Sequence, residues 1–272
     1  MIIESNNINI RQIAESGQCF RMNEIKQDTF SLIAYGRYLQ LKQLDDTAIE
    51  ISCSGEEYEL IWKDYFDLSY DYNRIIQKLM KGKDDFLKKA GDYGKGIRIL
   101  RQEPFEILIS FIISQNKNIP SIKKCIEGIC NRYGEFKISE EHYKMGYYAF
   151  PTPGRLANAK KEELRELKLG YRDEYIIKAA QAIHEGRINL DQLKACSHEE
   201  AVTALKTIPG VGDKVANCIS LYGLHHIEAF PVDVWINKVL NEVYQNSFDV
   251  EQYQGYAGII QQYMFYYMRS LK

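Results

Sequence analysis

The pattern of apolar residues changes near residue 98, and this change restricts the chain to a fold with two parts. Before it, apolar and polar residues alternate, as where Leu39 and Leu41 stand between more polar neighbours. Alternation of this kind is typical of strands with one buried face. After Pro104, apolar residues recur in long stretches at helical spacing. We therefore predict an α+β fold, with an N-terminal antiparallel β-sheet domain over 1–98 and an all-α region over 99–272.

The first region is predicted to contain a hairpin and a third strand. Strands over 30–35 and 38–44 flank Gly36-Arg37, a two-residue connection with glycine first that suits a type II′ turn. A third strand is expected over 48–53. The charged, glycine-containing segment 81–96 is predicted to be a surface connection. The second region contains several stretches with helical spacing: 105–115, 121–133, 161–167, 173–183 and 255–268.

Charge and composition limit the kinds of protein that this chain can be. Its 272 residues carry 35 Lys and Arg against 37 Asp and Glu, a net charge of −2. A nucleic-acid-binding protein usually shows a basic excess, so any contact with DNA must come from a local surface. We see no secretory signal and no apolar run near the ~20 residues that span a bilayer, and expect no membrane association. The six cysteines form no C-x-x-C pair, which favours a reduced, cytoplasmic protein with neither metal site nor cofactor.

The most informative motif is a tight turn between two helix patterns, over about 198–224. Pro209-Gly210-Val211-Gly212 follows an amphipathic stretch, and a second helix is predicted to begin just after Gly212. The unpaired N–H groups at the start of that helix would form an anion site. The segment resembles a helix-hairpin-helix, which grips a DNA phosphate through backbone amides. The alternative is a plain helix-turn-helix corner. A P-loop is excluded because no G-x-x-x-x-G-K-[ST] occurs.

Two residues beside the hairpin point to catalysis. Lys214 stands two residues after it, and Asp233 lies in the segment F-P-V-D-V-W. Alone, such a lysine is usually solvated and such an aspartate is usually a helix N-cap; a cap and a catalytic carboxylate can also be one residue. Together, G-V-G-D-K-V-A-N-C and F-P-V-D-V-W resemble the signature of the helix-hairpin-helix DNA glycosylases. In that superfamily the Asp is shared and the Lys marks the bifunctional branch.

Further segments narrow the resemblance to one family. Endonuclease III and its relatives usually carry four cysteines after the catalytic Asp for an iron–sulfur cluster, whereas no cysteine follows Cys218 here. Glycosylases for alkylated bases share the Asp and lack the Lys. The chain is similar to the 8-oxoguanine DNA glycosylase family nearly end to end. The matching segments are S-G-Q-C-F-R (16–21), G-I-R-I-L-R-Q-E-P (96–104), I-I-S-Q-N-K-N-I (112–119), L-G-Y-R (169–172) and Y-A-G (256–258) with Gln261 and Phe265 beyond it.

The resemblance implies an all-α helix-hairpin-helix glycosylase region and a bifunctional DNA glycosylase/AP lyase. Such an enzyme flips 8-oxoguanine out of the duplex, excises it and cleaves the strand by β-elimination through a Lys Schiff base. The expected partner is double-stranded DNA containing 8-oxoguanine. We expect a monomer located in the cytoplasm, associated with the nucleoid if the source is bacterial.

The resemblance also implies the catalytic roles. Lys214 would attack the sugar C1′ as the nucleophile. Its amine must be neutral to attack, so partial desolvation is expected. Asp233 would stabilise the positive charge that develops on the sugar, or would assist proton transfer; the sequence leaves both roles open.

Four residues are implied around the flipped base. The carbonyl of Gly17 would accept from N7–H, which 8-oxoguanine has and guanine lacks, a difference worth ~1–3 kcal/mol. Gln261 and Phe265, at i and i+4 on one helix face, would read the Watson–Crick edge and stack on the ring. Cys218, at i+4 from Lys214, would form the other wall. The alternatives are a simple turn glycine, a core phenylalanine and a buried structural thiol.

Contacts with the DNA itself are implied for Asn116, Tyr171, Arg172 and the hairpin. Tyr171 would wedge into the gap in the DNA duplex, although ordinary packing is its alternative. Asn116 would fill the space that the flipped base leaves. Arg172 would bind the opposite cytosine. Two residues depart from the family pattern. Trp235 stands where relatives often have His, which puts a phosphate contact in doubt, and Ser121 replaces an Arg that reads the opposite cytosine in animal members. A relaxed opposite-base preference is therefore predicted.

Two other functions are compatible with parts of this pattern. One is a glycosylase for a different lesion, such as alkylated purines, against which Lys214 argues. The other is a DNA-binding module without catalysis, against which the retained Lys214 and Asp233 argue. Activity on a panel of lesion duplexes separates the first from the prediction, and borohydride trapping separates the second.

Overall fold

Five antiparallel strands form the N-terminal sheet of the computed structural model, which describes residues 1–139 and 144–271. They are β1 (Ile2–Glu4), β2 (Met22–Lys26), β3 (Thr29–Ala34), β4 (Arg37–Gln43) and β5 (Ala48–Ile51), in the spatial order β1-β5-β4-β3-β2. Leu39 and Leu41 of β4 are buried and their neighbours are more accessible, as the alternation predicts. The helix α1 (Ile10–Glu15) adds Ile10 and Ile13 to the same apolar core.

The hairpin between β3 and β4 turns one residue earlier than the sequence predicts. Ala34 pairs with Arg37, so the two turn residues are Tyr35 and Gly36. Both have a positive φ, 52° and 63°. Two positive φ values are typical of a type I′ turn, in which the backbone twist matches that of the strands. The predicted type II′ turn over Gly36-Arg37 is therefore wrong.

The remainder of the chain is predominantly helical, and the predicted fold class is confirmed. A continuous helical segment holds α2 (Gly55–Glu57), a π-helical part (Tyr58–Trp62) and α3 (Lys63–Tyr65). The other helices are α4 (Tyr72–Lys81), α5 (Asp85–Tyr93), α6 (Pro104–Ser114), α7 (Ile119–Tyr133), α8 (Pro153–Ala157), α9 (Lys161–Glu166), α10 (Arg172–His184), α11 (Leu190–Ala195), α12 (His198–Leu205), α13 (Asp213–Tyr222), α14 (Val234–Glu242), a 3₁₀ helix (Val250–Tyr253) and α15 (Ala257–Ser270).

A second core lies among these helices, with α6 at its centre. Every residue from Ile107 to Ile113 in α6 is buried, which is typical of a helix surrounded by others. α7, α10 and α13 pack against it. A two-stranded antiparallel sheet of β6 (Phe136–Ile138) and β7 (Gly146–Tyr148) lies between α7 and α8 in the chain, and the sequence pattern does not predict it. No helix in the described ranges has the length and apolar character needed to span a membrane.

The predicted surface connection over 81–96 is wrong, because α5 occupies most of it. Asp84 caps this helix by accepting from the amide of Leu87, and Leu87 and Ala90 are buried against the helical core. α5 packs against α15 at the other end of the chain. Apolar residues from Tyr72 onward thus belong largely to the helical core. The predicted domain boundary at residue 98 rests on the sequence pattern alone, and it stays a prediction.

Candidate active site

The predicted hairpin is a tight turn between α12 and α13. The Val211 amide donates to the Ile208 carbonyl at 3.0 Å, and α13 begins at Asp213, directly after Gly212 as predicted. Gly210 has a φ of 86°, and a Cβ there would lie 2.4 Å from the ring of Tyr175. Only glycine fits this position, because the backbone conformation and the close ring both exclude a side chain.

A residue directly after α6 holds the hairpin, and the end of the hairpin at Gly212 is exposed. Gln115, which follows α6, donates from Nε2 to the Gly210 carbonyl at 3.0 Å. Gly212 is exposed, and a Cβ there would meet nothing within 4 Å. The amides in the first turn of α13 have no partner within the helix, so the exposed end of the hairpin and this helix start have the geometry that suits an anion.

Lys214 stands in the first turn of α13 and points over an apolar wall. Its Nζ lies 5.2 Å from the centre of the Phe111 ring of α6, and its side chain is half-buried. Cys218, one turn later, is buried. Burial raises the pKa of the Cys218 thiol to about 11, against the opposing effect of the nearby Lys214 ammonium. The thiol is therefore neutral at pH 7 and provides an apolar surface beside the amine.

Asp233 caps α14 beside Lys214. Its Oδ1 accepts from the amides of Trp235 at 3.0 Å and Ile236 at 2.9 Å, so the N-cap interpretation is confirmed. Burial raises the pKa of the Asp233 carboxyl, and the two amides and the Lys214 charge oppose that rise. The cap uses Oδ1 alone and leaves Oδ2 outside it. Trp235 packs against the helical core.

The structure brings the four predicted base-contacting residues to one region near this amine. Gly17 has a φ of 79°, and a Cβ there would lie 3.2 Å from the ring of Phe265, so ring and turn are in contact. Gln261 is buried; its Nε2 donates to the Pro231 carbonyl at 3.0 Å, two residues before Asp233. The Tyr222 hydroxyl lies 3.2 Å from Gln261 Oε1. Cys218 and Tyr222 share one face of α13 with Lys214.

The predicted DNA-contacting side chains lie near the hairpin and differ in exposure. Asn116 is exposed with a φ of 51°, and Tyr171 is 54% exposed. Tyr171 meets Tyr175 edge to face at 5.8 Å, and Tyr175 touches Gly210, so the proposed wedge and the hairpin are connected. Arg172 is turned inward. It donates to the carbonyls of Leu169 and Gln115, and its role toward DNA stays a prediction.

Four residues of the site carry no role in the sequence interpretation: Phe111, Gln115, Tyr222 and Gln262. Phe111 and Tyr222 stack at 5.5 Å with an angle of 12° between their rings, which extends the apolar wall under Lys214. Tyr222 follows Lys214 and Cys218 at spacings of i+8 and i+4, so helical periodicity could have placed it on their face. Nothing in the local sequence indicates Phe111, Gln115 or Gln262, because their contacts come from distant segments.

Two family models together match residues 1–254 of the chain. A family model described as 8-oxoguanine DNA glycosylase, N-terminal domain, matches residues 1–108. A second model, described as HhH-GPD superfamily base excision DNA repair protein, matches residues 109–254. The N-glycosylase/DNA lyase of Saccharomyces cerevisiae is 28% identical over 271 residues, which cover 91% of this chain and 71% of that protein.

Two solved structures are similar along nearly the whole chain. One is the Clostridium acetobutylicum 8-oxoguanine glycosylase/lyase in complex with double-stranded DNA containing cytosine opposite 8-oxoG. It is 35% identical with a TM-score of 0.91, covering 100% of this chain and 98% of that one. The other is MBOgg1 in complex with a low-affinity DNA ligand, 38% identical with a TM-score of 0.92, covering 99% and 95%. This chain therefore belongs to the 8-oxoguanine DNA glycosylase family within the HhH-GPD superfamily.

Proposed function

We propose that this chain excises 8-oxoguanine from duplex DNA and then cleaves the strand at the resulting abasic site, with Lys214 as the nucleophile. As a member of its family, the chain is a DNA glycosylase with abasic-site lyase activity. One observation carries the finer assignment: Lys214 stands between the neutral wall of Phe111 and Cys218 and the carboxylate of Asp233, beside the hairpin.

The Lys214 amine supplies the covalent step. It attacks C1′ as the bond from C1′ to the base breaks, and loss of the sugar ring bond leaves a Schiff base between Nζ and C1′. Removal of a C2′ proton then expels the 3′ phosphate by β-elimination. The Phe111 ring and the Cys218 side chain cover one side of the amine with apolar surface.

Asp233 has the position of a charge-stabilising group. Cleavage of the bond to the base leaves positive charge on the sugar, and a nearby carboxylate in a water-poor place lowers the energy of that state. The helix cap fixes the carboxylate through Oδ1, so we assign Oδ2 to the sugar. Burial raises the pKa of this carboxyl, while the cap amides and Lys214 oppose the rise. The carboxyl can therefore act either by charge stabilisation or by proton transfer.

Recognition of the base is assigned to the region of Gly17, Gln261 and Phe265. The Gly17 carbonyl would accept from N7–H of 8-oxoguanine and face the N7 lone pair of guanine, which penalises the normal base. Phe265 lies against Gly17, within reach of the same base, and would stack on its face. Gln261 is held by Pro231, and its Oε1 would accept from the Watson–Crick edge.

The hairpin and its neighbours would hold the distorted duplex. Flipping a nucleotide out of the duplex costs roughly a few kcal/mol. Side chains that occupy the gap left in the duplex offset this cost. Tyr171 and Asn116 are exposed beside the hairpin, as this role requires. The backbone amides at Gly210 and Gly212 would bind a phosphate, whereas the predicted contact from the Val211 amide is not available because this amide already donates to the Ile208 carbonyl. We also propose a relaxed preference for the opposite base, because Ser121 lacks a guanidinium and Arg172 is turned inward.

Borohydride trapping on duplexes containing 8-oxoguanine tests the central assignment. Lys214→Gln should form no trapped adduct, because the nucleophile is lost, and should still bind the duplex, because the phosphate contacts are made by the backbone. Lys206→Gln is the matched control: Lys206 lies close to the same hairpin, where its Nζ pairs with Asp213 at 2.5 Å, and it should trap normally. Full trapping by Lys214→Gln would contradict the proposal.

A further inference from the structure

The hydroxyl of Tyr222 is buried between two adjacent glutamines of α15. It lies 2.6 Å from Gln262 Oε1 and 3.2 Å from Gln261 Oε1. All three side chains are at most 5% exposed. The chemistry proposed above uses neither this hydroxyl nor Gln262, although both lie in the region assigned to the flipped base.

Backbone carbonyls fix the orientation of both amide groups. Gln261 Nε2 donates to the Pro231 carbonyl at 3.0 Å, and Gln262 Nε2 donates to the Ser16 carbonyl at 2.8 Å. A carbonyl oxygen accepts and never donates, so each Nε2 has to face its carbonyl. Both Oε1 atoms consequently face the Tyr222 hydroxyl.

One hydroxyl proton serves these two acceptors unequally. Burial raises the pKa of Tyr222 well above its ordinary value, so the hydroxyl keeps its proton. The shorter contact indicates that the hydroxyl donates to Gln262 Oε1, so Gln261 Oε1 lacks a full donor. A buried acceptor without a donor is unfavourable. A purine edge with N–H donors, such as the N1–H and the exocyclic amine of guanine, would relieve this and an adenine N1 would not.

Gln262 also immobilises the turn that carries Gly17. It binds the carbonyl of Ser16, the residue before Gly17, while Gln102 Nε2 donates to the carbonyl of Gln18, the residue after it, at 3.0 Å. Both neighbours of the Gly17 carbonyl are thereby tied to side chains from distant segments. The Tyr222 hydroxyl holds Gln262 in the position in which it makes its part of this contact.

We propose that Tyr222 is a positioning residue for base recognition, which holds the Gly17 turn through Gln262 and leaves Gln261 Oε1 as an acceptor for the base edge. This inference rests on the proposed function, in which Gly17 and Gln261 face the excised base. The proposed role of Tyr222 should affect one of two reactions of the same active site and leave the other unchanged. Excision needs the base to be positioned, whereas lyase cleavage of a preformed abasic site involves no base.

The test compares these two reactions in Tyr222→Phe, which removes the hydroxyl and keeps the ring stacked on Phe111. We expect single-turnover excision of 8-oxoguanine to fall about tenfold to a hundredfold, as for a lost buried hydrogen bond, with abasic-site cleavage within about twofold of wild type. Gln262→Leu breaks the same link from its other side and should give the same split. The double variant should lose little more than either single variant, because the two residues act as one unit.

Tyr263→Phe is the matched control on the neighbouring residue of α15. The Tyr263 hydroxyl is buried and has no hydrogen-bond partner among the described residues, so its removal should change neither reaction. Equal loss of excision and abasic-site cleavage in Tyr222→Phe and Gln262→Leu would overturn the inference, as would unchanged excision in both. A wild-type protein that cleaves neither substrate would instead overturn the proposed function, and the inference with it.

Discussion

The conformation of the Arg172 side chain affects how the chain can recognise the base opposite the lesion. Its guanidinium is nearly buried, lies 4.5 Å above the Tyr171 ring and donates to the carbonyls of Leu169 and Gln115. To bind an opposite cytosine it would have to give up these bonds. Ser121, in the first turn of α7, has a side chain too short to make the contact that an arginine at this position would make. We therefore expect weak discrimination at the opposite base.

We predict that excision opposite cytosine exceeds excision opposite adenine only modestly, and that Ser121→Arg raises this ratio about tenfold. One good arginine contact to a base discriminates by ~1–3 kcal/mol. Single-turnover rates on the four opposite-base duplexes measure the effect. Ser121→Lys is the control, since it adds the same charge without the planar fork that binds a base at two points. A strong cytosine preference in the unmutated protein would contradict the prediction, as would equal gains from Lys and Arg.

The residues of the site differ in how far the sequence could identify them. The sequence motif that contains the hairpin also contains Lys214, Cys218 and Asp233, which follow the hairpin closely in the chain. One motif therefore locates all three. Tyr222 and Gln262 act through a contact that spans 40 residues, and Gln262 reaches Ser16 across 246. No local pattern carries contacts of that range. Their roles follow only once the chain is folded.

Among the elements, those with strong apolar periodicity are predicted well and those with mixed composition are not. The predicted helices over 105–115 and 173–183 match α6 and α10 to within one residue at each end. α5 is missed because its lysines and glycine resemble a loop, whereas packing against α15 stabilises it. The β3–β4 turn is misplaced because Tyr35 adopts a positive φ, which is uncommon for an aromatic residue.

The hairpin between α12 and α13 yields a prediction at this scale. Gly210→Ala should lower the free energy of unfolding by about 1–3 kcal/mol through backbone strain and should weaken binding to duplex DNA, because relief of the clash with Tyr175 displaces the amides. Thermal unfolding and fluorescence anisotropy measure the two effects.

Gly186→Ala is the control for strain alone. Gly186 has a φ of 72°, lies beyond the other end of α10 from Tyr175, and a Cβ there would meet nothing within 4 Å. It should be destabilised and bind DNA normally. If Gly210→Ala also binds DNA like wild type, the hairpin backbone is not the phosphate contact.

For the whole molecule, the number of DNA phosphates that the protein neutralises determines how binding responds to salt. A chain of net charge −2, with backbone amides as its proposed phosphate contacts, should neutralise few phosphates. We expect a log–log slope of affinity against salt of about −2 to −4, since each neutralised phosphate contributes ~0.9. A titration of affinity against potassium chloride measures it, and an undamaged duplex should give nearly the same slope. A much steeper slope would contradict the prediction and would reveal a basic surface that neutralises more phosphates.

The contact between Gln262 and Ser16 also has a consequence for the order of synthesis. The two residues are 246 positions apart, and Arg269 and Tyr266 contact Glu15 nearby. At ~5–20 residues per second, a ribosome takes roughly 12–50 s to pass from one partner to the other. During that interval the N-terminal sheet can form, while the turn at Gly17 waits for its partner from α15. Lys214 and Asp233 are synthesised before Gln261 and Phe265, so the nascent chain contains the proposed nucleophile before it contains these two residues proposed to recognise the base.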